Sequence, residues 1–259
     1  MPEQRFTAGR VRAEVTGDGG GPTVWLFHSL LADAGSCAPL ARRLEATHRV
    51  ALPNLPGFGG SEAVAADLPA VADRMAEAVA ELGGPAVLLG NGYGSFVALT
   101  LALRHPALAS RLVLAGTGAA FSDPGRAAFR NMAAAARTKG LAAVADTAMR
   151  RLFSPEFQAA NPELVAERRA RFLATDPAVF TGACEALAAL DLRDRAGALA
   201  KPVLVLAGAE DEATPPPMAR ELAALLPDAR LRELPGLAHV PQLQETEGFH
   251  AAIRDFVAG

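Results

Sequence analysis

Two ionisable residues late in the chain have the types and order of a catalytic base and its partner. Asp211 follows an apolar run at residues 202–208, and His239 follows a strand-like run at residues 230–234. In acyl transfer a histidine takes the proton of the attacking group, and a carboxylate orients that histidine. Taken singly, Asp211 could cap a turn and His239 could be a surface-loop histidine. Their order, each just after a predicted strand, favours a catalytic dyad.

A nucleophile for this dyad should stand in a sharp turn between a strand and a helix. Residues 87–89 read as a short apolar strand, and an uninterrupted helix follows a glycine-rich turn. The pattern Gly-x-Ser-x-Gly fits Gly90 and Gly94, but Gly92 stands where the serine is expected. That turn residue takes a positive φ, which glycine adopts at almost no cost. Glycine at position 92 is therefore compatible with the fold, but it removes the nucleophile that the usual chemistry needs.

The other part of an acyl-transfer site is a pair of amides that bind the oxyanion. The backbone N–H of Leu30, after the first buried strand, and that of Tyr93, after the turn, are the expected donors. Neither depends on a side chain, so the loss of the serine need not remove this oxyanion hole. Ser29 is assigned to the same oxyanion and substrate-binding region, and His28 is expected to brace its loop.

Two hydroxyl groups near the turn are poor replacements for the missing serine. Ser95 lies about one helical turn further on, and the Tyr93 side chain should point elsewhere in the pocket.

Three hypotheses remain for the function of the site. The first is a hydrolase in which His239 activates a water in the space that Gly92 leaves. The second is a non-hydrolytic isomerase, lyase or cofactor-free oxygenase that uses the dyad as a proton-transfer base, and the third is a binding protein that has lost catalysis. The retention of both Asp211 and His239 argues against the third. An engineered serine-to-glycine exchange would leave the same sequence pattern.

The elements that must position these residues alternate between strand and helix. This alternation predicts an α/β fold with a mostly parallel sheet and helices on both of its faces. Two short strands are expected first, near residues 5–15. The further strands are expected at residues 23–27, 49–52, 87–89, 111–115, 202–208 and 230–234, and the helices between and after them at residues 37–46, 67–82, 93–104, 217–226 and 247–257.

The alternation stops between residues 117 and 200, where no convincing strand occurs. Proline residues separate several alanine-rich helical segments, expected near residues 125–137, 140–152, 161–174 and 178–189. We therefore expect a core domain made of residues 1–116 and 201–259, with residues 117–200 inserted as a helical lid.

Composition restricts the classes of partner. The 259 residues are 51% hydrophobic and 20% charged with a net charge of −3, which is typical of a globular protein without a nucleic-acid-binding surface. Residues 1–12 are polar and no run approaches the ~20 apolar residues of a membrane span, so a cytoplasmic location is the expectation. Cys37 and Cys184 fit neither a disulfide framework nor a metal site. We expect a small-molecule substrate, no metal or cofactor, and no membrane partner; a homo-oligomer is left open.

The chain resembles the α/β-hydrolase superfamily over essentially the whole length of the chain, because five of the superfamily's motifs occur in order. Within it, the chain is similar to the enol-lactone hydrolases that act on 3-oxoadipate enol-lactone, and more loosely to carbon–carbon bond hydrolases. This resemblance implies a small, largely apolar carbonyl, ester or lactone substrate. Two departures are Gly92 and the sequence Arg151-Leu152-Phe153, where the lactonases have a tryptophan in the middle. The matching motifs are at residues 28–30, 56–61, 90–94, 208–216 and 236–239.

Overall fold

The strands form a single mixed sheet in the computed structural model, which describes residues 3–259. They are β1 (Glu3–Phe6), β2 (Val11–Thr16), β3 (Val24–Phe27), β4 (Val50–Pro53), β5 (Ala86–Asn91), β6 (Ala109–Ala115), β7 (Val203–Gly208) and β8 (Ala229–Leu234). Their order across the sheet is β1-β2-β4-β3-β5-β6-β7-β8. β2 pairs antiparallel with both β1 and β4, and the remaining pairs are parallel. The predicted α/β fold class is confirmed.

Helices connect these strands and follow the last of them. They are α1 (Ala38–Leu44), α2 (Leu68–Leu82), α3 (Tyr93–Arg104), α4 (Asp123–Lys139), α5 (Ala145–Leu152), α6 (Pro155–Ala160), α7 (Pro162–Leu173), α8 (Pro177–Ala189), α9 (Arg193–Ala196), α10 (Pro216–Leu225), α11 (Pro241–Gln244) and α12 (Thr246–Ala258). Within residues 3–259, no helix has both the length and the apolar character that a membrane span requires.

Local features of the helical region differ from the sequence prediction, among them the short helix α9, which was not predicted. The helix predicted at residues 140–152 is a 3₁₀ turn, Leu141–Ala143, followed by α5, because Gly140 ends α4 with a φ of +78°. The short helix α6 was not predicted. Ser154 caps it by accepting a hydrogen bond from the Phe157 N–H, and Pro155 occupies its first position. The Ser-Pro pair is the signal that could have revealed it.

Helices cover both faces of the sheet. Successive side chains of the central strands point to opposite sides, so both sets of side chains are buried. On one face, Val24 and Leu26 of β3 belong to a buried apolar cluster with side chains of α1 and α12. On the other face, Trp25 and Phe27 join a larger cluster that includes α2, α3, α10 and the helices between β6 and β7. Apolar packing on both faces thus supports the central strands from whose ends the loops start.

The carboxyl ends of the parallel strands meet at one edge of the sheet, the edge at which open α/β sheets bind ligands. The loops after β3, β5, β7 and β8 carry Ser29, Gly92, Asp211 and His239 respectively. The parallel pairing of the strands thus brings these four residues, which are far apart in the sequence, to the same edge of the sheet.

The helices α4 to α8, residues 123–189, all lie between β6 and β7 in the sequence. Within this helical segment α4 packs along α8, and α5 packs on α7. An ion pair joins it to the loop after β3, with Arg168 Nη1 of α7 2.8 Å from Asp33 Oδ1. Arg168 is buried, so this contact attaches the helical segment to the loop that carries Ser29.

Candidate active site

The turn between β5 and α3 has the backbone geometry of a nucleophile turn. Gly92 adopts φ +53° and ψ −121°, a left-handed conformation that favours glycine. Its N–H donates to the Ala115 carbonyl oxygen over 2.9 Å. The Ser95 hydroxyl donates to the Gly92 carbonyl oxygen over 2.6 Å, so Ser95 braces the turn and does not present its hydroxyl in place of a side chain at position 92.

Asp211 and His239 are in direct contact, although 28 positions separate them in the sequence. The His239 Nδ1–H donates to Asp211 Oδ2 over 2.8 Å. The other carboxylate oxygen, Oδ1, accepts the backbone N–H groups of Ala213 and Thr214 over 2.8 and 2.9 Å. The Thr214 hydroxyl donates to Oδ2 over 2.7 Å. The carboxylate is therefore fixed in place by donors on both oxygens.

These donors also settle the charge of the buried Asp211 carboxyl group. Burial raises its pKa, but the neighbouring His239 and the hydrogen bonds from His239 and Thr214 outweigh burial and leave the pKa of Asp211 below its ordinary value. A carboxylate that accepts the Nδ1–H holds the imidazole with the Nε2 lone pair free. His239 thus faces the turn with the nitrogen that can take a proton.

Two side-chain atoms occupy the space next to Gly92. A Cβ atom at position 92 would lie 2.5 Å from Ser29 Oγ and 2.6 Å from His239 Nε2. Ser29 Oγ is itself 3.3 Å from His239 Nε2. Real Cβ atoms do not approach other atoms this closely, so the arrangement requires a residue without a side chain at position 92.

The buried His28 holds the backbone of Ser29. Its Nδ1–H donates to the Ser29 carbonyl oxygen over 2.9 Å, and its Nε2 accepts the Leu55 N–H over 3.2 Å. Burial lowers the pKa of His28, opposed by the Ser29 carbonyl oxygen and the charge of Asp33. A neutral His28 is also what both hydrogen bonds require, since one nitrogen donates and the other accepts. His28 therefore has the bracing position that the sequence analysis proposed for it.

The two amides expected to form the oxyanion hole are both free. Within residues 3–259, neither the Leu30 N–H nor the Tyr93 N–H has a hydrogen-bond acceptor. Tyr93 is the first residue of α3, where the amide has no partner inside the helix and the helix dipole favours negative charge. Burial raises the pKa of the Tyr93 phenol, which keeps it neutral.

A small cavity lies against His239 and the residues that carry these amides. Its volume of about 20 Å³ is the room that one water molecule needs. His239, Gly92, Ser29 and Thr214 form its polar side. The rest of the lining is mostly apolar and comes partly from the helical segment: Leu30, Leu31, Tyr93, Phe96, Phe121, Phe129, Arg151, Leu187 and Ala213.

A family model described as the alpha/beta hydrolase fold matches residues 22–246. The chain belongs to the α/β-hydrolase family. The pimeloyl-[acyl-carrier protein] methyl ester esterase of Aromatoleum aromaticum is 34% identical to this α/β-hydrolase over 94% of the chain and 96% of that protein. The enol-lactonase from Burkholderia xenovorans LB400 has a TM-score of 0.89 and 29% identity, with all of both chains covered.

Another relative is much longer than this α/β-hydrolase. Polyketide synthase ThaQ of Burkholderia thailandensis is 31% identical over 96% of the chain, but the match spans only 12% of ThaQ. The predictions of an α/β-hydrolase superfamily member and of a hydrolase-class enzyme are confirmed by these comparisons. The resemblance to enol-lactonases is matched by a solved structure, and the curated sequence relatives add methyl ester esterases.

Arg151 of α5 is a cavity residue that the sequence analysis noted only as part of a departure from the lactonase pattern. Its guanidinium carbon lies 5.5 Å from the centre of the Phe129 ring. No carboxylate in the described part of this α/β-hydrolase lies within 4.0 Å of it. Burial lowers the pKa of Arg151, opposed by Cys184, Asp211 and Glu212. Among the described residues, a cation without an ion-pair partner thus lies in the mostly apolar part of the cavity lining.

Asn91, just before the turn, holds the backbone of His239. Its side-chain amide donates to the His239 carbonyl oxygen over 2.7 Å, and its Oδ1 accepts from Gln242 Nε2 over 3.2 Å. All three residues are buried. Asn91 belongs to the turn motif in the sequence, but its role could not be predicted from the motif because its partner is 148 positions away.

Proposed function

We propose that this α/β-hydrolase cleaves the acyl C–O bond of a small ester or lactone, with His239 as the base and Asp211 as the carboxylate that orients it. The observation that carries this proposal is the His239–Asp211 contact of 2.8 Å, next to two free amides. A base with a free Nε2 can activate an attacking hydroxyl group. The Leu30 and Tyr93 amides can stabilise the oxyanion that forms on the substrate.

The substrate carries a negative charge a few atoms away from the reacting carbonyl. Arg151 supports this proposal, because a guanidinium without an ion-pair partner in a mostly apolar lining would bind a carboxylate strongly in two-pronged geometry. The names of the similar proteins agree with an ester or a lactone: one is an enol-lactonase and another is a pimeloyl-[acyl-carrier protein] methyl ester esterase. We therefore favour lactone acids and half-esters of dicarboxylic acids as substrates.

The helical segment acts as a lid over this site. Phe129, Arg151 and Leu187 of α4, α5 and α8 line the cavity. A cavity of about 20 Å³ admits one water molecule but no ester. A substrate would therefore enter only when the helical segment moves away from the core.

A second candidate is a non-hydrolytic enzyme, such as an isomerase, a lyase or a cofactor-free oxygenase. It is favoured by the glycine at position 92, since proton transfer by His239 and Asp211 needs no nucleophile in the turn. Pure binding is less well supported, because a binding site does not need the dyad that Asp211 and His239 form.

Hydrolysis of p-nitrophenyl butyrate, 3-oxoadipate enol-lactone and dicarboxylic acid monomethyl esters tests the proposal. The expected result is turnover that His239→Ala abolishes and that Asp211→Asn lowers strongly, because the wrong imidazole tautomer is then favoured. No hydrolysis of any of these compounds by the unaltered chain, with turnover appearing only in Gly92→Ser, would refute a hydrolase.

A further inference from the structure

We propose that Ser29 is the nucleophile of this α/β-hydrolase and that Gly92 provides the room that its hydroxyl occupies. This inference rests on the proposed ester or lactone hydrolysis and names the group that attacks the carbonyl. It moves the nucleophile from the turn after β5 to the loop after β3, while the base and the carboxylate stay in place.

The Ser29 hydroxyl lies next to both position 92 and the imidazole of His239. Ser29 Oγ lies 2.5 Å from the point that a Cβ atom at position 92 would occupy. It lies 3.3 Å from His239 Nε2, the nitrogen that takes the proton. Catalytic hydrogen bonds are often longer than about 3.2 Å without substrate and shorten when substrate binds. Ser29, His239 and Asp211 therefore form a continuous hydroxyl–imidazole–carboxylate chain.

The neighbouring hydroxyl groups are already engaged elsewhere. The Ser95 hydroxyl donates to the Gly92 carbonyl oxygen over 2.6 Å, and the Thr214 hydroxyl donates to Asp211 Oδ2 over 2.7 Å. Within residues 3–259, Ser29 has the only side-chain hydroxyl in hydrogen-bond contact with His239 Nε2. Its own proton has no other acceptor there.

The oxyanion donors fit a nucleophile at position 29. In this fold the donors are the amide after the nucleophile and an amide of the loop after the first buried parallel strand. With Ser29 as the nucleophile, Leu30 becomes the residue after it and Tyr93 supplies the amide from the other loop. Both amides are free and both residues line the cavity. The Leu30 and Tyr93 amides can therefore still form the oxyanion hole, but Leu30 now follows the nucleophile and Tyr93 supplies the donor from the other loop.

Gly92 and Ser29 form a complementary pair. A serine at position 92 would place its Cβ within 2.5 Å of Ser29 Oγ and 2.6 Å of His239 Nε2. Either Ser29 or His239 would have to move. Loss of the side chain at position 92 is thus the condition under which the Ser29 hydroxyl can reach the imidazole.

The reaction balances with water as the only co-reactant. Ser29 Oγ attacks the carbonyl carbon of the ester as its proton passes to His239 Nε2. The tetrahedral intermediate then expels the alcohol, or the ring oxygen of a lactone, which takes the proton from His239. Water attacks the acyl–Ser29 ester and gives a proton to His239. Cleavage of that ester releases the acid, and the proton returns to Ser29.

Covalent labelling of the whole chain with a fluorophosphonate tests this proposal without relying on a variant. Attack on phosphorus forms a Ser–O–P bond and expels fluoride, so the protein gains one defined mass. We expect one adduct, mapped by peptide mass spectrometry to Ser29 and lost in His239→Ala. Labelling of another residue, or no labelling of a chain that hydrolyses esters, would overturn the assignment.

Rates of ester hydrolysis for matched variants provide the second measurement. Ser29→Ala should lower kcat by at least about 10³-fold, given the effect of removing a triad serine in related systems. Ser110→Ala is the control, because Ser110 lies on β6 and its hydroxyl has no hydrogen-bond partner within residues 3–259. It should keep both the rate and the label. Circular dichroism and the melting temperature show whether Ser29→Ala is folded.

Gly92→Ala is a second variant that keeps Ser29 itself. Its added Cβ should push the hydroxyl away from His239 and lower kcat by at least about 10²-fold. His239-dependent hydrolysis that survives in both Ser29→Ala and Gly92→Ala would overturn the role of Ser29 and leave the hydrolase assignment standing. Absence of hydrolysis by the unaltered chain would instead overturn the hydrolase assignment, and with it this proposal.

Discussion

Asn91 fixes the main chain of His239 by donating its side-chain amide to the His239 carbonyl oxygen over 2.7 Å. The two residues are 148 positions apart in the sequence, and their contact joins the turn after β5 to the loop after β8. The turn that contains Gly92 therefore also positions His239, the proposed base.

Replacing Asn91 should lower kcat with little change in KM, because Asn91 positions His239 and does not line the cavity. In Asn91→Ala the His239 carbonyl oxygen loses its close donor, and a misplacement of the base near 1 Å lowers kcat by about 10²-fold. KM should stay nearly constant because Asn91 does not line the cavity. Steady-state kinetics on one ester measure both constants. Gln242→Ala is the control, since it removes the neighbouring amide but leaves the Asn91–His239 bond; a larger loss in that variant would contradict the prediction.

Arg151 should determine the charge of the preferred substrate. Arg151→Met keeps much of the side-chain length and removes the cation, so kcat/KM for a half-ester should fall by about 10- to 10²-fold, the worth of a hydrogen bond to a charged group. The rate for a neutral ester of equal length should change little. Arg151→Lys keeps the charge and is expected to retain part of the preference. Equal losses for the charged and neutral esters would argue against carboxylate binding.

Acid should destabilise the fold through histidines that are buried in the neutral form. Burial lowers the pKa of both His28 and His48, assisted at His48 by the charge of His250. Because the unfolded chain binds more protons below its histidine pKa of 6.5, stability is greatest above this pH. It should fall as the pH drops toward the pKa values of the folded state. Urea unfolding between pH 7.5 and 5 measures this slope.

The contributions of the two histidines can be separated by single replacements. His28→Gln and His48→Gln should each flatten the dependence of unfolding free energy on pH, and the double variant should flatten it further. A slope unchanged in all three variants would show that other groups cause it. Asp211 acts in a different range, since its lowered pKa means that its contribution is lost only when the pH falls below the ordinary aspartate range.

The Asp33–Arg168 ion pair should hold the helical segment to the core. Arg168 is buried and pairs with both Asp33 and Glu167, so Asp33→Asn removes one of two charge partners from a desolvated guanidinium and should lower stability by about 1.5–3 kcal/mol. Arg168→Met removes the cation itself. A double-mutant cycle in urea isolates the pair, and the double variant should cost less than the sum of the two single changes. Additive changes would show that the pair is not coupled.

Local sequence signals were sufficient for the fold and for the positions of the dyad. Alternating apolar runs predicted the strands, and parallel pairing then required their carboxyl ends to share one edge. The glycine-rich turn identified position 92 because φ there must be positive. These features depend on a few neighbouring residues and on general rules of connection.

The contact between Ser29 and His239 could not be predicted in the same way. The two residues are 210 positions apart, and their approach depends on a rotamer that tertiary packing selects. The cavity position of Arg151 likewise depends on how α5 lies on the core. In the sequence Ser29 belongs to a motif and Arg151 to a departure from the lactonase pattern, but the contacts of both residues are determined by packing.

The small volume of the cavity makes substrate binding a conformational equilibrium. Since about 20 Å³ does not accommodate an ester, only the fraction of molecules with the helical segment displaced can capture one. The apparent affinity is the intrinsic affinity multiplied by that fraction. Tight closure would then shield an acyl intermediate from bulk solvent but slow its formation, so the mobility of the helices, as well as the chemistry beneath them, would set the pace of turnover.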